Sequence, residues 1–261
     1  MLADEVAAGR PVALLTCVAG PPDRIGRHLV LTPDVRHGSL GADGIDDAAA
    51  GDGRGLLAAG RTGLLHYNAD GRPGSGVTVL VTSFAPAPRM LVFGATDHAA
   101  AAARIGTFLG YRVTACDARP VFATAERFPG AHEVVVDWPH RYLAAEASAG
   151  RLDTRTVVCV LTHDAKFDVP VLSLALKLPL AYVGAMGSRR THADRLERLR
   201  EAGLAEPALA RLRSPLGLDL GAQTPEETAI SVAAEIIAAR SNATGRPLTG
   251  TPGPIHKSAP G

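Results

Sequence analysis

The chain has 261 residues, a formal net charge of +1 and 20% charged residues, so it carries no single-sign field of the kind that binds nucleic acid or an acidic membrane surface. Its length allows one large or two modest domains, and two is the reading adopted. Three cysteines, Cys17, Cys116 and Cys159, have no metal-type spacing and lie in apolar runs, which excludes a disulfide framework and predicts buried reduced thiols.

Acidic residues precede any apolar run in MLADEVAAGRP, and no window approaches 18 uninterrupted apolar residues, so neither a signal peptide nor a transmembrane helix is expected and the localisation is cytosolic. Residues 1–84 read as a small α/β domain. Strands are predicted at Val12 to Val18, Leu29 to Leu31, Leu64 to Tyr67 and Val77 to Val81, and a helix from Ile45 to Ala59 broken near Gly51 to Gly55. Ala85-Pro86-Ala87-Pro88 favours a stiff, extended linker.

Residues 89–240 read as a Rossmann-like, doubly wound parallel sheet. Met90 to Phe93 forms a strand buried on both faces and Gly94 turns the chain into an Ala-rich helix from His98 to Leu109, with Ile105, Phe108 and Leu109 as its larger apolar contacts. The next strand, Arg112 to Cys116, ends at Asp117, roughly 20 residues after the turn, where such domains place the acid that binds a ribose hydroxyl. The phosphate fingerprint is incomplete: Gly94, Thr96 and Ala99 occupy its three positions, and Asp97 is placed to cap the helix. A short helix is expected at Val121 to Arg127, a strand at Glu133 to Asp137, a helix at Tyr142 to Ala149 and a fully buried strand at Thr156 to Leu161. A helix over Asp168 to Leu178, a strand at Ala181 to Val183 and a basic helix to about Ala202 follow, with Arg190, Arg195, Arg198 and Arg200 on its solvated face. Thr224, Pro225 and Glu227 form a capping box before a helix whose stripe of Ile230, Ala233, Ala234 and Ile237 packs on the sheet. Residues 241–261, rich in Gly, Pro, Ser and Thr, read as a disordered tail.

In a sheet of order 3-2-1-4-5, ligands bind outside the carboxyl ends of the strands where the order reverses. Three loops meet that rule: Gly94, Ala95 and Thr96 with Asp117 behind them; Thr162, His163, Asp164 and Lys166 before Asp168; and Gly184, Gly187, Ser188 and Arg189. The second gathers an imidazole, two carboxylates and an ammonium within seven positions, against the plainer reading that Asp168 caps a helix and His163 closes a turn. The third offers glycines, a hydroxyl and a guanidinium at a helix start, suited to phosphate. Ser214 to Gly221 is a further turn-rich stretch that reaches the same crevice or packs beside it. No Ser-His-Asp elbow, zinc cluster or Walker loop is present.

Phe93-Gly94-Ala95, Asp117-Ala118-Arg119-Pro120, Leu161-Thr162-His163-Asp164 with Lys166-Phe167-Asp168, Gly184-Ala185-Met186-Gly187-Ser188-Arg189-Arg190 and Ser214 to Glu227 together resemble the xanthine dehydrogenase accessory protein family, XdhC/CoxI. The resemblance implies a cytosolic maturation factor that binds molybdenum cofactor as cargo and delivers it, with a sulfido ligand installed, to a xanthine dehydrogenase-like molybdoenzyme. A cysteine desulfurase is the second implied partner. The family's usual Gly-Ala-Gly-His turn is here Gly94-Ala95-Thr96-Asp97-His98, and its Gly-Ser-Ser-Pro-Arg segment is Ala19-Gly20-Pro21-Pro22-Asp23-Arg24. Its N-terminal cysteine motifs are missing. Two other readings stay open: an NAD(P)-dependent oxidoreductase with Asp117 on the ribose and His163 as acid/base, and a non-catalytic nucleotide-binding paralogue. An accessory factor is preferred to a catalyst, and the 46% apolar fraction is compatible with a homodimer.

Overall fold

A computed structural model describes residues 1–162 and 164–252. Two compact units divide the chain, Met1–Ala87 and Pro88 onward. In the first, helix α1 (Leu2–Ala7) leads into strands β1 (Val12–Ala19), β2 (His28–Leu31) and β3 (Arg36–Gly38), helix α2 (Asp43–Ala58), and strands β4 (Gly63–Tyr67) and β5 (Val77–Phe84). The strands form an antiparallel sheet ordered β3-β2-β1-β5-β4. Helix α2 covers one face through Ile45, Ala49, Ala50, Gly53 and Leu57. It is continuous, contrary to the break expected at Gly51 to Gly55. Each glycine costs about 1 kcal/mol of helix propensity, but Gly53 lets the helix approach Leu15 and Leu31 closely, and burying that face outweighs the local cost.

The second unit begins with β6 (Arg89–Phe93), α3 (Asp97–Phe108), β7 (Arg112–Asp117), β8 (Glu133–Val136), α4 (Pro139–Ser148) and β9 (Val157–Val160). It continues with α5 (Ala165–Ala175), β10 (Tyr182–Ala185), α6 (Arg189–Glu201), α7 (Glu206–Leu209), β11 (Leu212–Arg213) and α8 (Pro225–Arg240). Its six strands are all parallel and ordered β11-β10-β9-β6-β7-β8, the doubly wound topology with one strand more than expected. Alternation along β6 explains the two-sided core: Met90 and Val92 join α3 and α8 on one face, while Leu91 and Phe93 join α4, α5 and α6 on the other. The chain reverses its winding between β6 and β9, which are hydrogen-bonded neighbours.

Several local expectations are corrected. Residues 121–127 form hydrogen-bonded turns, Ala123 N–H to Arg119 O and Phe128 N–H to Thr124 O, instead of a helix. The alanines and Gly106 of α3 make its core contact and Phe108 is 82% exposed, because small residues bring the helix so close that larger ones are left on the far side. The capping box at Thr224 forms as expected, yet α8 buries Ala229, Val232, Ala233 and Ile236. Ile230 and Ile237 are 54% and 49% exposed. Two apolar stripes of equal spacing run along this helix, and packing against α3 selects one. Among the described residues of the tail, 241–252, Leu248–Gly250 form a 3-10 turn, and residues 253–261 lie outside the described residues.

Candidate functional site

A cavity of about 360 Å3 opens at the reversal between β6 and β9. Thr96, Arg119, Thr162, Asp164, Ala165 and Phe167 line it. Two of the three expected loops therefore meet here. Gly94 makes the meeting possible: its φ is +112°, and a Cβ there would stand 2.7 Å from Leu161 O. The turn after β6 thus lies directly against the backbone that leaves β9.

Thr96 joins the two loops. Its hydroxyl accepts from Ala99 N–H as the N-cap of α3 and donates to Leu161 O, both at 3.2 Å. Asp97, expected to be the cap, is exposed and pairs with Arg127 at 2.9 Å. The position that departs from the glycine fingerprint is thus a structural clasp. On the second loop Thr162 is buried and accepts Asp164 N–H at 3.0 Å, while Asp164 caps α5 by accepting Lys166 N–H at 3.1 Å. The Lys166 ammonium sits 3.1 Å from Asp164, and the backbone hydrogen bond from Lys166, aided by that charge, holds the Asp164 carboxyl below its ordinary range. His163 lies outside the described residues.

Asp117 does not line the cavity but holds Arg119, which does. Burial would raise its pKa, but Arg119 outweighs burial, donating from its backbone N–H and Nε to Oδ1 at 2.9 Å each and from Nη2 to Oδ2 at 2.8 Å. Ala95 N–H adds a further hydrogen bond, and the carboxyl is held below the usual carboxylate range. Arg119 in turn lies over the Phe122 ring at 4.8 Å. Asp117 thus reaches the expected place at the strand end with both oxygens engaged, which disfavours its use as a ribose acceptor.

The third loop behaves differently. Gly184, Gly187, Ser188 and Arg189 are not among the described residues lining the cavity. Gly184 makes room for the Tyr182 ring, since a Cβ there would lie 2.5 Å from Cε1, so its role is packing. Ser188 is the N-cap of α6 and Arg189 is exposed. Within Ser214 to Gly221, Leu216 and Gly217 tie the stretch to β10 and α8, with Leu216 N–H on Ala185 O and Gly217 N–H on Glu235, while Pro215 and residues 219–221 are exposed.

Behind these loops lies a buried ion pair that the sequence reading missed. Asp168 is not the cap of α5: it is 3% exposed and pairs at 2.9 Å with Arg195, itself 4% exposed. Arg195 also donates to Ser214 Oγ and Met186 O, both at 2.8 Å. It therefore ties α5, α6 and the loop ends of β10 and β11 together instead of facing solvent. The arginine's place on an otherwise basic helix hid it. A signal was available in the helical stripe of Arg195 and Leu199, the two residues α6 buries.

Among the described residues no cluster of three or more His, Cys, Asp or Glu side chains can hold a metal ion. All three cysteines are buried and free, and burial pushes the Cys116 and Cys159 thiols up to about 12. No described helix is long and apolar enough to cross a membrane.

Comparison with known proteins agrees with this architecture. Residues 90–236 match the XdhC Rossmann domain and residues 5–68 match the XdhC and CoxI family. Among relatives, YqeB of Escherichia coli (strain K12) is 33% identical over 66% of this chain and 31% of its own length. A probable xanthine dehydrogenase subunit of Bacillus subtilis (strain 168) is 33% identical over 59% of this chain and 44% of its own. The molybdenum cofactor insertion chaperone PaoD of Escherichia coli (strain K12) is 29% identical over 65% of this chain and 45% of its own. The chain thus spans less than half the length of these relatives. A crystal structure of a xanthine dehydrogenase from Bacillus halodurans superposes with a TM-score of 0.63 at 22% identity, over 92% of this chain and 65% of that one, a likeness of fold. With its Rossmann unit matched almost from end to end, the chain belongs to the XdhC and CoxI family.

Proposed function

We propose that this protein is a maturation factor for a xanthine dehydrogenase-like molybdoenzyme, and that its Rossmann unit binds molybdenum cofactor as cargo in the cavity between β6 and β9. The observation that carries the reading is the cavity itself, built at the crevice where doubly wound sheets take their ligands and lined by a guanidinium, two threonines and the starts of two helices. Its volume lies near the lower end of small-molecule sites and suits one pterin-sized ligand. Its similarity to the insertion chaperone PaoD supports cargo of this class.

Binding and delivery suit the Rossmann unit better than sulfur chemistry on its own thiols. Cys116 and Cys159 are buried protonated thiols in the sheet, and thiolate is the nucleophilic form. The sulfido ligand would then come from a cysteine desulfurase acting on the bound cargo, and the molybdoenzyme is the acceptor. The hydride-transfer alternative is weakened by the engagement of Asp117 with Arg119.

Co-expression with a xanthine dehydrogenase-type enzyme tests the proposal. The wild-type chain is expected to raise the enzyme's molybdenum content and activity, and Ala165→Trp, which fills the cavity, is expected to abolish the gain. An equal gain from both proteins would refute the site, and no gain from either would refute the role.

A further inference from the structure

A Rossmann domain that holds NAD presents a carboxylate to the ribose at the end of its second strand, whereas an arginine nearby accommodates the 2′-phosphate of NADP. Here the carboxylate occupies the first position but does not face outward. Asp117 is buried, and both of its oxygens are taken by Nε, Nη2 and the backbone N–H of Arg119. Of the pair, it is Arg119 that lines the cavity. Its guanidinium is fixed on two sides, by the fork on Asp117 and by the Phe122 ring 4.8 Å from Cζ, so little side-chain freedom remains to be lost when a ligand arrives. The fork uses Nε and Nη2, which leaves Nη1 to donate elsewhere.

The rest of the lining suits an anion. Thr96 and Ala165 stand at the starts of α3 and α5, so both helix N-termini open on the same space. Asp164, the one carboxylate among the described lining residues, already carries the Lys166 ammonium at 3.1 Å. Net repulsion of an anion is thereby offset.

We infer that Arg119 is the specificity-determining residue of this cavity and that it selects ligands carrying a phosphomonoester over the same ligands without one. Asp117 is its positioning residue. The inference rests on the cavity being the ligand site, as in the function proposed above. The phosphate of a pterin and the 2′-phosphate of NADPH share this chemistry, and the test separates them.

The sole tryptophan provides the readout, since Trp138 lies 5.2 Å from the ring of Phe167, which lines the cavity. The full chain is titrated anaerobically, by fluorescence and by calorimetry, with the pterin phosphate of molybdenum cofactor, the same pterin after phosphatase treatment, NADPH and NADH. A charge-assisted, guanidinium-held phosphate predicts a preference of about tenfold or more for the phosphorylated member of whichever pair binds. Arg119→Ala strands the buried Asp117, so the Asp117→Asn/Arg119→Gln protein, with both charges removed, is measured beside it. Both are expected to lose the preference.

Equal affinities within each binding pair, or a preference that survives in the double variant, overturn the inference. Pterin binding without discrimination would overturn it while leaving the maturation role intact. NADPH preferred over NADH, with no pterin bound, would support Arg119 as the phosphate selector and refute the cargo. No binding of any probe refutes both.

Discussion

Arg195→Met keeps the length and apolar stem of the side chain in α6 and removes its charge, which isolates what the buried pair contributes. Asp168 and Arg195 are nearly inaccessible, so water cannot replace the guanidinium 2.9 Å from the carboxylate. Removing one partner of such a pair costs about 3–5 kcal/mol. The Met186 carbonyl and the Ser214 hydroxyl each lose a donor at 2.8 Å, worth about 1 kcal/mol apiece. At roughly 2–4 °C per kcal/mol for a unit of this size, a total of about 5–7 kcal/mol should lower the thermal midpoint of the Rossmann unit by about 10–28 °C. Adding Asp168→Leu removes the carboxylate that has lost its guanidinium partner, and the Asp168→Leu/Arg195→Met protein should recover part of the loss. Thermal unfolding followed by circular dichroism, with urea midpoints for the free energies, measures both. A loss below about 1 kcal/mol in Arg195→Met, or a double variant no more stable than the single one, would refute the assignment of a buried, mutually dependent pair.

Four other outcomes follow from particular contacts. Gly94→Ala places a Cβ 2.7 Å from Leu161 O at a φ of +112° and should cost at least about 2 kcal/mol, whereas Gly51→Ala, with open space around it in α2, should gain about 0.5–1 kcal/mol; urea midpoints that ranked the two the other way would contradict both accounts. Glu146 is held at about 2 by its hydrogen bond from Arg151, against burial and with help from Arg89, below its ordinary 4.5. Its stabilisation of about 3 kcal/mol is complete above pH 4.5 and lost as pH falls towards 2, so Glu146→Gln should be less stable near neutrality and flatter over that acid limb. Ile236→Ala should cost about 2–4 kcal/mol and Ile230→Ala less than about 0.5 kcal/mol in thermal melts, since α8 buries the first and exposes the second. Cys116 and Cys159, with thiols near 12, should resist iodoacetamide at pH 8 in the folded protein, and rapid alkylation of either would show that the sheet opens.

Local signals in the sequence were enough for the main strands and helices of both units, the tight turn at Gly94, the capping box at Thr224 and the parallel winding of the second unit, but not for the short elements β3, α7 and β11 or the turns at residues 121–127. Each of the former is settled within one element or by the rule that crossovers are right-handed. The family was legible too, because its motifs are contiguous. Choices between locally equivalent options were not. Along α8, the stripes through Ile230 and Ile236 share the helical period, and only the approach of α3 decides which is buried. At Asp164 and Asp168 either carboxylate has the chemistry of a cap, and Arg195, 27 residues further on, draws the second into the interior. Asp117 reached its expected place with its oxygens already engaged, because a guanidinium two positions away satisfies them at lower cost than water can in a buried corner. Periodicity and turn chemistry thus determined the main elements and their winding. The roles of the charged side chains were decided by tertiary structure, because burial makes an unpaired charge so costly that its partner, wherever it lies in the chain, determines what the residue does.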